Sequence, residues 1–406
     1  MIALHEEHGE VVASWLRLGY RAESVVCFDR HLDLKPLTRA AAARLTRLTG
    51  EHPIEAENRK LPIREVDGSY GLDDFYAAGA TLGLVSSLTW VRATREADSP
   101  AARRRLLAAL SVIAAEPDVL DTTRFDERGA LHTRVCGLDL AIHTPDTFGA
   151  TPQDPASRVD VDLDWFADVT TGQDHQPGEL LHLLERHGLL GNVDSMTYSV
   201  RSGFLPEDRR DLAPLLAGEL GRGTRQRERD ALPLPQATFT ALRGAADPVP
   251  PERYEAELGP LGAVGTALLG LLHLRTAGDT DRAGRCWHEA AQAGCRSSWL
   301  AYGIGLSHYG RQAFTEAGEW FRRATGERTD TIEVKSAFLA ALCTLRTGAF
   351  EEAYRTLLDF ARRYPLHADA ARLAAGLGDR LGIERQPWLS RRIDAQERIL
   401  ANGAAA

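Results

Sequence analysis

With 406 residues, 44% of them apolar and 26% charged, the chain has room for two hydrophobic cores and shows none of the bias of a disordered protein. Its 57 acidic against 48 basic residues leave a formal charge of −9, which argues against a surface built to neutralise nucleic-acid phosphates. Five scattered cysteines, Cys27, Cys136, Cys286, Cys295 and Cys343, form no CxxC pair, so neither a disulfide frame nor a zinc knuckle is expected and a reducing, cytoplasmic compartment fits best.

The opening "MIALHEEHGEVV" is acidic where a signal peptide needs basic residues, and nowhere do eighteen apolar residues run together. A soluble, unprocessed chain without a membrane partner is the expectation. From there "EEHGEVVASWLRLG" reads as a helix and "SVVCFD" as a strand. "RAAAARLTRLTG" and "DDFYAAGATLG" read as helices, "SSLTWVRAT" as a strand and "SPAARRRLLAALSVIAA" as a helix. "HTRVCGLDLAIHT" and "RVDVDLDWF" follow as strands, "GELLHLLERHG" as a helix, "SMTYSVRS" as a strand and "EDRRDLAPLLAGEL" as a helix. This alternation predicts an α/β sandwich around a mostly parallel sheet over residues 1–221, in which polar residues closing apolar strands mark the ligand site. Residues 222–260 concentrate charge, proline and glycine and read as a linker or domain edge, and residues 261–406 as an all-α domain.

Two strands close on acid. If the extended conformation continues, Asp29, His31 and Asp33 share one face, and Asp160, Asp162 and Asp164 share another. Either motif alone also suits a helix cap or a solvated strand end. Together, converging carboxylates cannot all stay ionised in a partly buried cleft without a cation among them. Hard oxygen donors with one or two imidazoles suit a pair of manganese-like ions, spaced about 3.5–4 Å apart, that would acidify a water between them. A histidine just before "VVASWLRLG" is by itself better explained by solvation, but beside two acidic strand ends His5 and His8 offer the missing nitrogen donor.

"EEH" before a helix, then "FDRHLDL", then "VDVDLDWF" resembles the ureohydrolase superfamily of arginases and agmatinases, and most of all a divergent arginase-like branch that includes the peptide arginases. The resemblance covers about residues 1–220 and extends to "DDFYAAGATLGLVSSLTWV" and "TYSVRSGFLPED". It implies an arginase-like three-layer sandwich with two Mn2+ ions held by His8, Asp29, His31, Asp33, Asp162 and Asp164. Asp160 stands where arginases have serine, and a register in which Asp160 and Asp162 are the ligands stays open. The implied catalytic residues are Asp29, His31 and Asp162.

The chain departs from arginases in continuing into "WFADV" where they have Asp-Pro, and no glutamate clearly follows the last strand to clamp a guanidinium; "TYSVRSGF" offers hydroxyls and Arg201. Asp73, Asp74 and Glu207 are the candidate substrate-binding carboxylates, with the third motif as another source. His52 and His143 are the candidate general acids, each better read on its own as an ordinary loop or strand-end histidine. Histone deacetylases share features of this fold, but their His-His and Tyr elements are missing from the sequence.

In the last third, "TAGDTDRAGRCWHEAAQAG", "HYGRQAFTEAGEWFRRATGE" and "RTGAFEEAYRTLLDFARRYP" repeat a glycine turn, a small residue (Ala283, Ala317, Ala353) and a large apolar one (Trp287, Phe321, Leu357). With a period of about 34 residues and Pro365 closing the third copy, this resembles the tetratricopeptide repeat. Such repeats bind a peptide or protein, self-associate into a homo-oligomer, or simply pack. Trp287, Trp299, Tyr302 and Trp320 read as core, and Arg322, Arg323 and Lys335 as a solvated face.

The expected activity is hydrolysis of a guanidino group, converting arginine residues of a peptide or carrier protein to ornithine with release of urea. The rivals are a non-catalytic adaptor built on the helical repeats and an agmatinase-like enzyme for a small molecule.

Overall fold

The computed structural model describes residues 1–58, 68–96, 98–114, 118–168, 172–173, 175–200, 204–205, 209–226, 250–325 and 331–401. They form two compact units, one of Met1–Arg103, Asp121–Pro233 and Arg398–Ala406, the other of Arg104–Leu120 and Leu234–Glu397. The division within 222–260 falls between Pro233 and Leu234, and the short segment 104–120 joins the helical unit instead of the 1–221 region.

The first unit is built on strands β1 (Ile2–His5), β2 (Glu23–Asp29), β3 (Val85–Arg92), β4 (Arg124–Phe125), β5 (Leu131–Val135), β6 (Leu138–His143) and β7 (Arg158–Asp162). A small hairpin, β8 (Ala167–Asp168) with β9 (Gly172–Gln173), precedes β10 (Val193–Thr197) and β11 (Thr224–Gln226). Among the described residues nine strands form one sheet in the order β11-β1-β10-β7-β2-β3-β6-β5-β4, every pairing parallel except β6–β5 and β5–β4, so that β5 alone runs against the rest. The expected mixed α/β fold with a mostly parallel sheet is therefore present.

Three local readings are corrected. "MIALHEEH" opens with a strand, and only Val11–Leu18 is α-helical after a 3-10 turn at His8–Glu10. "HTRVCGLDLAIHT" is a hairpin, not one strand, because Cys136 and Gly137 take φ of 52° and 77° and reverse the chain. The strand read in "SMTYSVRS", β10, ends at Thr197, so Tyr198 and Ser199 lie beyond it, Ser199 with φ of 48°.

Alternation sorts each strand between two buried faces. Ile2, Leu4, Val26, Phe28, Val91, Val159, Val161 and Met196 enter one core with Phe148, Trp165 and the helices Pro177–Arg186 and Leu212–Glu219. Their neighbours Cys27, Asp29, Asp160, Asp162 and Ser195 face the opposite layer, where Trp15, Phe75 and Tyr76 pack ring against ring. The acidic strand ends thus emerge on one side of the sheet only.

The second unit is helical. Gly262–Ala277 packs on Thr280–Gln292, Ser298–Gly310 on Phe314–Ala324, and Thr331–Arg346 on Phe350–Arg363, followed by Ala368–Arg380 and Pro387–Ala401. Ala283, Ala317 and Ala353 are fully buried, as are Phe321 and Leu357, and Trp287 is nearly so. Trp299, Tyr302 and Trp320 are only half-buried, while Arg322, Arg323 and Lys335 are exposed. The left-handed turn residues between paired helices are Gly278, Gln312 and Gly348, so a glutamine takes the turn in the second copy where a glycine was expected. No stretch of eighteen consecutive apolar residues occurs, but one helical stretch is long and apolar on average, as the core helix of a helical unit can also be. This stretch, Pro251–Ala277, is long and apolar enough to cross a membrane by length and composition alone, and 44% of its most apolar window is buried in the fold.

Candidate metal centre

His8 is completely buried and begins the 3-10 turn after β1. The turn fits because Gly9 has no side chain: a Cβ there would come within 2.8 Å of Asn58 Oδ1 and 3.0 Å of the Gly71 backbone. Its Nδ1 stands 3.0 Å from Asp29 Oδ2, 3.1 Å from Asp162 Oδ2 and 3.4 Å from Asp33 Oδ2. A second set adjoins the first, with His31 Nδ1 2.9 Å from Asp164 Oδ2 and 3.9 Å from Asp29 Oδ1. Asp29 directs one oxygen to each set.

Convergence is achieved by turns, not by continued strands, which corrects the extended reading of both motifs. β2 stops at Asp29, whose Oδ1 accepts the His31 amide at 2.7 Å, and Asp33 returns toward His8 with φ of 47°. β7 stops at Asp162, whose Oδ1 accepts the Asp164 amide at 3.0 Å and starts a 3-10 turn over Leu163–Phe166. In both motifs an aspartate side chain caps the next two residues and folds the following donor inward.

Asp160 occupies a different place. Its Oδ2 lies 2.8 Å from His8 Nε2, the ring nitrogen remote from the other carboxylates, and it also accepts from Tyr76 Oη at 3.0 Å and, through Oδ1, from Ser195 Oγ at 2.6 Å. It orients the imidazole from behind, as a carboxylate does behind a ligating histidine. Ser199 Oγ donates to Asp162 Oδ2 at 2.6 Å, and the Arg30 amide donates to Asp164 Oδ1 at 3.2 Å.

The protonation pattern shows how strongly this cluster calls for positive charge. Burial disfavours the imidazolium of His8, yet the field of Asp160 with its hydrogen bond, and the close approach of Asp162 and Asp29, raise its pKa well above the ordinary value. Against the same burial, Asp164 and Asp29 push His31 up to about 10. Burial, reinforced by repulsion from Asp164 and Asp33, raises Asp29, and burial also raises Asp33. Burial and Asp164 bring Asp162 to about 6. Asp160 and Asp164 remain below the usual carboxylate range despite burial, held by His8 and His31 respectively. Protons are gathered where cations would sit.

The donors fit metal ions on geometry as well. His8 Nδ1, Asp29 Oδ2 and Asp164 Oδ2 are buried without a well-formed hydrogen bond, although each faces another donor atom about 3 Å away. Lone pairs aimed at a common point are what a shared cation satisfies. The triads His8, Cys27, Asp29 and Asp29, His31, Asp164 each bring ligand atoms within 4.8 Å of one another. Cys27 was not among the sequence candidates, although its place two residues before Asp29 puts both on one strand face. Burial raises its thiol pKa well above the ordinary value, so it presents a neutral thiol to the cluster.

Other candidates lie elsewhere. His5 is buried near Glu10 and lines a cavity of about 250 Å³ with Arg17, Glu51, His52 and Arg225, which accounts for His52 as well. His143 pairs in register with Val91, on the core face away from the carboxylates, and burial together with His132 lowers it to about 4. Asp73 is at the rim, felt by Asp33 and bonded to Lys35 Nζ at 2.7 Å, whereas Asp74 is buried and accepts the Gly71 amide at 2.6 Å. Glu207 and Arg201 lie outside the described residues. Glu6, beside the "EEH" histidine, is held by both guanidinium nitrogens of Arg210 at 2.9 and 2.6 Å.

Substituting Asp160→Asn tests its supporting role without removing a candidate ligand. Divalent-ion affinity should fall about 10–100-fold, as for other carboxylates behind ligating histidines, while stoichiometry stays that of the unsubstituted protein. A competitive chelator titration measures both, and an unchanged affinity refutes the role. No family model matches this chain, and neither does any curated protein.

Proposed function

We propose that the α/β unit is an arginase-like, manganese-dependent ureohydrolase that converts an arginine residue of a peptide or carrier protein to ornithine with release of urea. The observation that carries this reading is the Asp29 carboxylate, divided between a His8 set and a His31 set in a buried cluster. His8, Asp33 and Asp162 would hold one ion and His31 and Asp164 the other, with Asp29 common to both; hard oxygens and imidazoles suit Mn2+. When bound, such an ion pair lowers the pKa of water between the ions and so supplies a nucleophile at neutral pH.

The residues around the cluster keep its donors apart and aimed. Asp160 fixes the His8 ring from its far nitrogen, Ser199 fixes Asp162, and the Arg30 amide fixes Asp164. Their combined negative charge also favours a guanidinium approaching the strand ends. The net reaction adds water across the bond between the guanidino carbon and Nε, releasing urea and leaving the amine of ornithine. In this reading the helix pairs of the second unit are tetratricopeptide-like repeats that recruit the arginine-bearing chain, supported by the buried small and large residues at matching positions.

Elemental analysis of the purified protein, with a urea assay on arginine-containing peptides, tests the proposal. Close to two manganese ions per chain and urea release support it. Failure to retain any divalent ion after reconstitution refutes it.

A further inference from the structure

Access to the metal cluster is one-sided. The side chains of His8, Asp29 and Asp164 are sealed from solvent and those of Asp33 and Asp162 nearly so, whereas 40% of the His31 side chain is exposed. A substrate therefore meets the cluster at His31. The half-buried phenyl ring of Phe204 stands against that imidazole, with the ring centroids 4.6 Å apart and the planes 55° to one another.

Phe204 is held there by the turn that follows β10. Its amide and that of Leu205 donate to the Ser199 carbonyl at 3.0 and 3.1 Å, and Leu205 is fully buried in the core that contains Phe148 and Trp165. Ser199 in turn donates through Oγ to Asp162 Oδ2 at 2.6 Å. One residue thus ties the ring on His31 to a candidate ligand of the other set. The described carboxylates expected to hold a guanidinium are committed elsewhere, Asp73 to Lys35 Nζ and Asp74 to the Gly71 amide. What stands on the exposed ligand instead is an aromatic ring. Such a ring attracts a cation through its quadrupole, and the planar, weakly hydrated guanidinium stacks on it better than an ammonium does.

We propose that Phe204 is a substrate-binding residue that forms an aromatic wall of the guanidinium slot, so that the arginine side chain enters across His31 with its planar cation between the phenyl ring and the acidic cluster. The inference rests on the ureohydrolase reading for the identity of the reacting group, but the preference of the ring for a planar cation does not require turnover.

Two capped, fluorescently labelled peptides test it, Gly-Arg-Gly and Gly-citrulline-Gly, because citrulline keeps the size and planarity of arginine without its charge. Binding to manganese-reconstituted protein is read from the initial anisotropy, before turnover, and urea release gives KM, with metal content and melting temperature checked for every variant. Phe204→Leu should weaken binding of the arginine peptide about threefold or more, raise its KM in proportion, and leave binding of the citrulline peptide within about twofold. Phe204→Tyr, which keeps the ring, should bind both peptides as the unsubstituted protein does. No binding of the arginine peptide by the unsubstituted protein, or an equal loss for both peptides in Phe204→Leu, overturns the proposal. So does a loss that follows a fall in metal content, since Phe204 would then only support His31. A preference for arginine that depends on Phe204 without urea release refutes the hydrolase reading and leaves the aromatic wall standing, while urea release with a KM indifferent to Phe204→Leu does the reverse.

Discussion

On the proposed ureohydrolase reading, Asp29→Ala should empty both halves of the candidate metal cluster at once, taking manganese from close to two ions per chain to near zero and urea release down by about a thousandfold or more. The expectation follows from its two oxygens, one facing His8 Nδ1 and the other facing His31. Asp33→Ala and Asp164→Ala should behave differently. Each touches one set only, so each should leave about one ion per chain, on the His31 side and the His8 side respectively. Folding should survive the Asp29 substitution, because burial and like-charge neighbours already make its ionised form costly in the metal-free protein. Elemental analysis with circular dichroism decides the matter. Near-normal metal content in Asp29→Ala would remove the shared carboxylate from the centre of the mechanism.

The response to pH should reverse sign with metal. In the metal-free protein His31 has its pKa raised to about 10 from an ordinary value near 6.5. A raised histidine binds its proton more tightly folded than unfolded, so its contribution is fully present below pH 6.5 and is lost as pH rises through about 10. With 40% of its side chain exposed, His31 delivers only part of what the shift implies. His8 shifts in the same direction. Metal ions compete with those protons and with any held on the raised carboxylates, so loading at pH 7 should release protons and tighten as pH rises. Melting temperatures between pH 6.5 and 10 should therefore fall for chelator-treated protein and hold or rise with saturating manganese. Calorimetry in buffers of different ionisation enthalpy counts the protons. Parallel profiles with and without metal, or loading without proton release, would contradict the coupling.

Much of this site could be read along the chain. Apolar alternation assigns Cys27 and Asp29, and likewise Asp160 and Asp162, to a common strand face, and that periodicity survives folding because the opposite face is needed for a core of Val26, Phe28, Val159 and Val161. The repeated alanine and large apolar residues of the helical unit were legible for the same reason, since close helix packing demands them locally: a Cβ on Gly305 would stand 2.7 Å from the Phe321 ring.

Other features depend on which strands become neighbours and on how they end. Placing β7 beside β2 brings Asp162 and Asp164 to Asp29 and His31, and β10 on the other flank of β7 supplies Ser195 to Asp160. Asp33 and Asp164 reach the cluster through an αL residue and a 3-10 turn, which strand periodicity does not foresee. Whether Asp160 faces the other carboxylates or stands behind His8 is likewise a question of ring orientation, settled by the hydrogen bonds of Tyr76 and Ser195. His143 illustrates the opposite case, a strand-end histidine that register turns toward the core. By itself, then, the sequence determined the α/β and helical halves and the residue types able to hold a cation, because hydrophobic period and side-chain chemistry are local properties. The tertiary structure alone decided which donors share a point and which one supports from behind, because those depend on strand order, register and turn geometry between residues far apart in the chain.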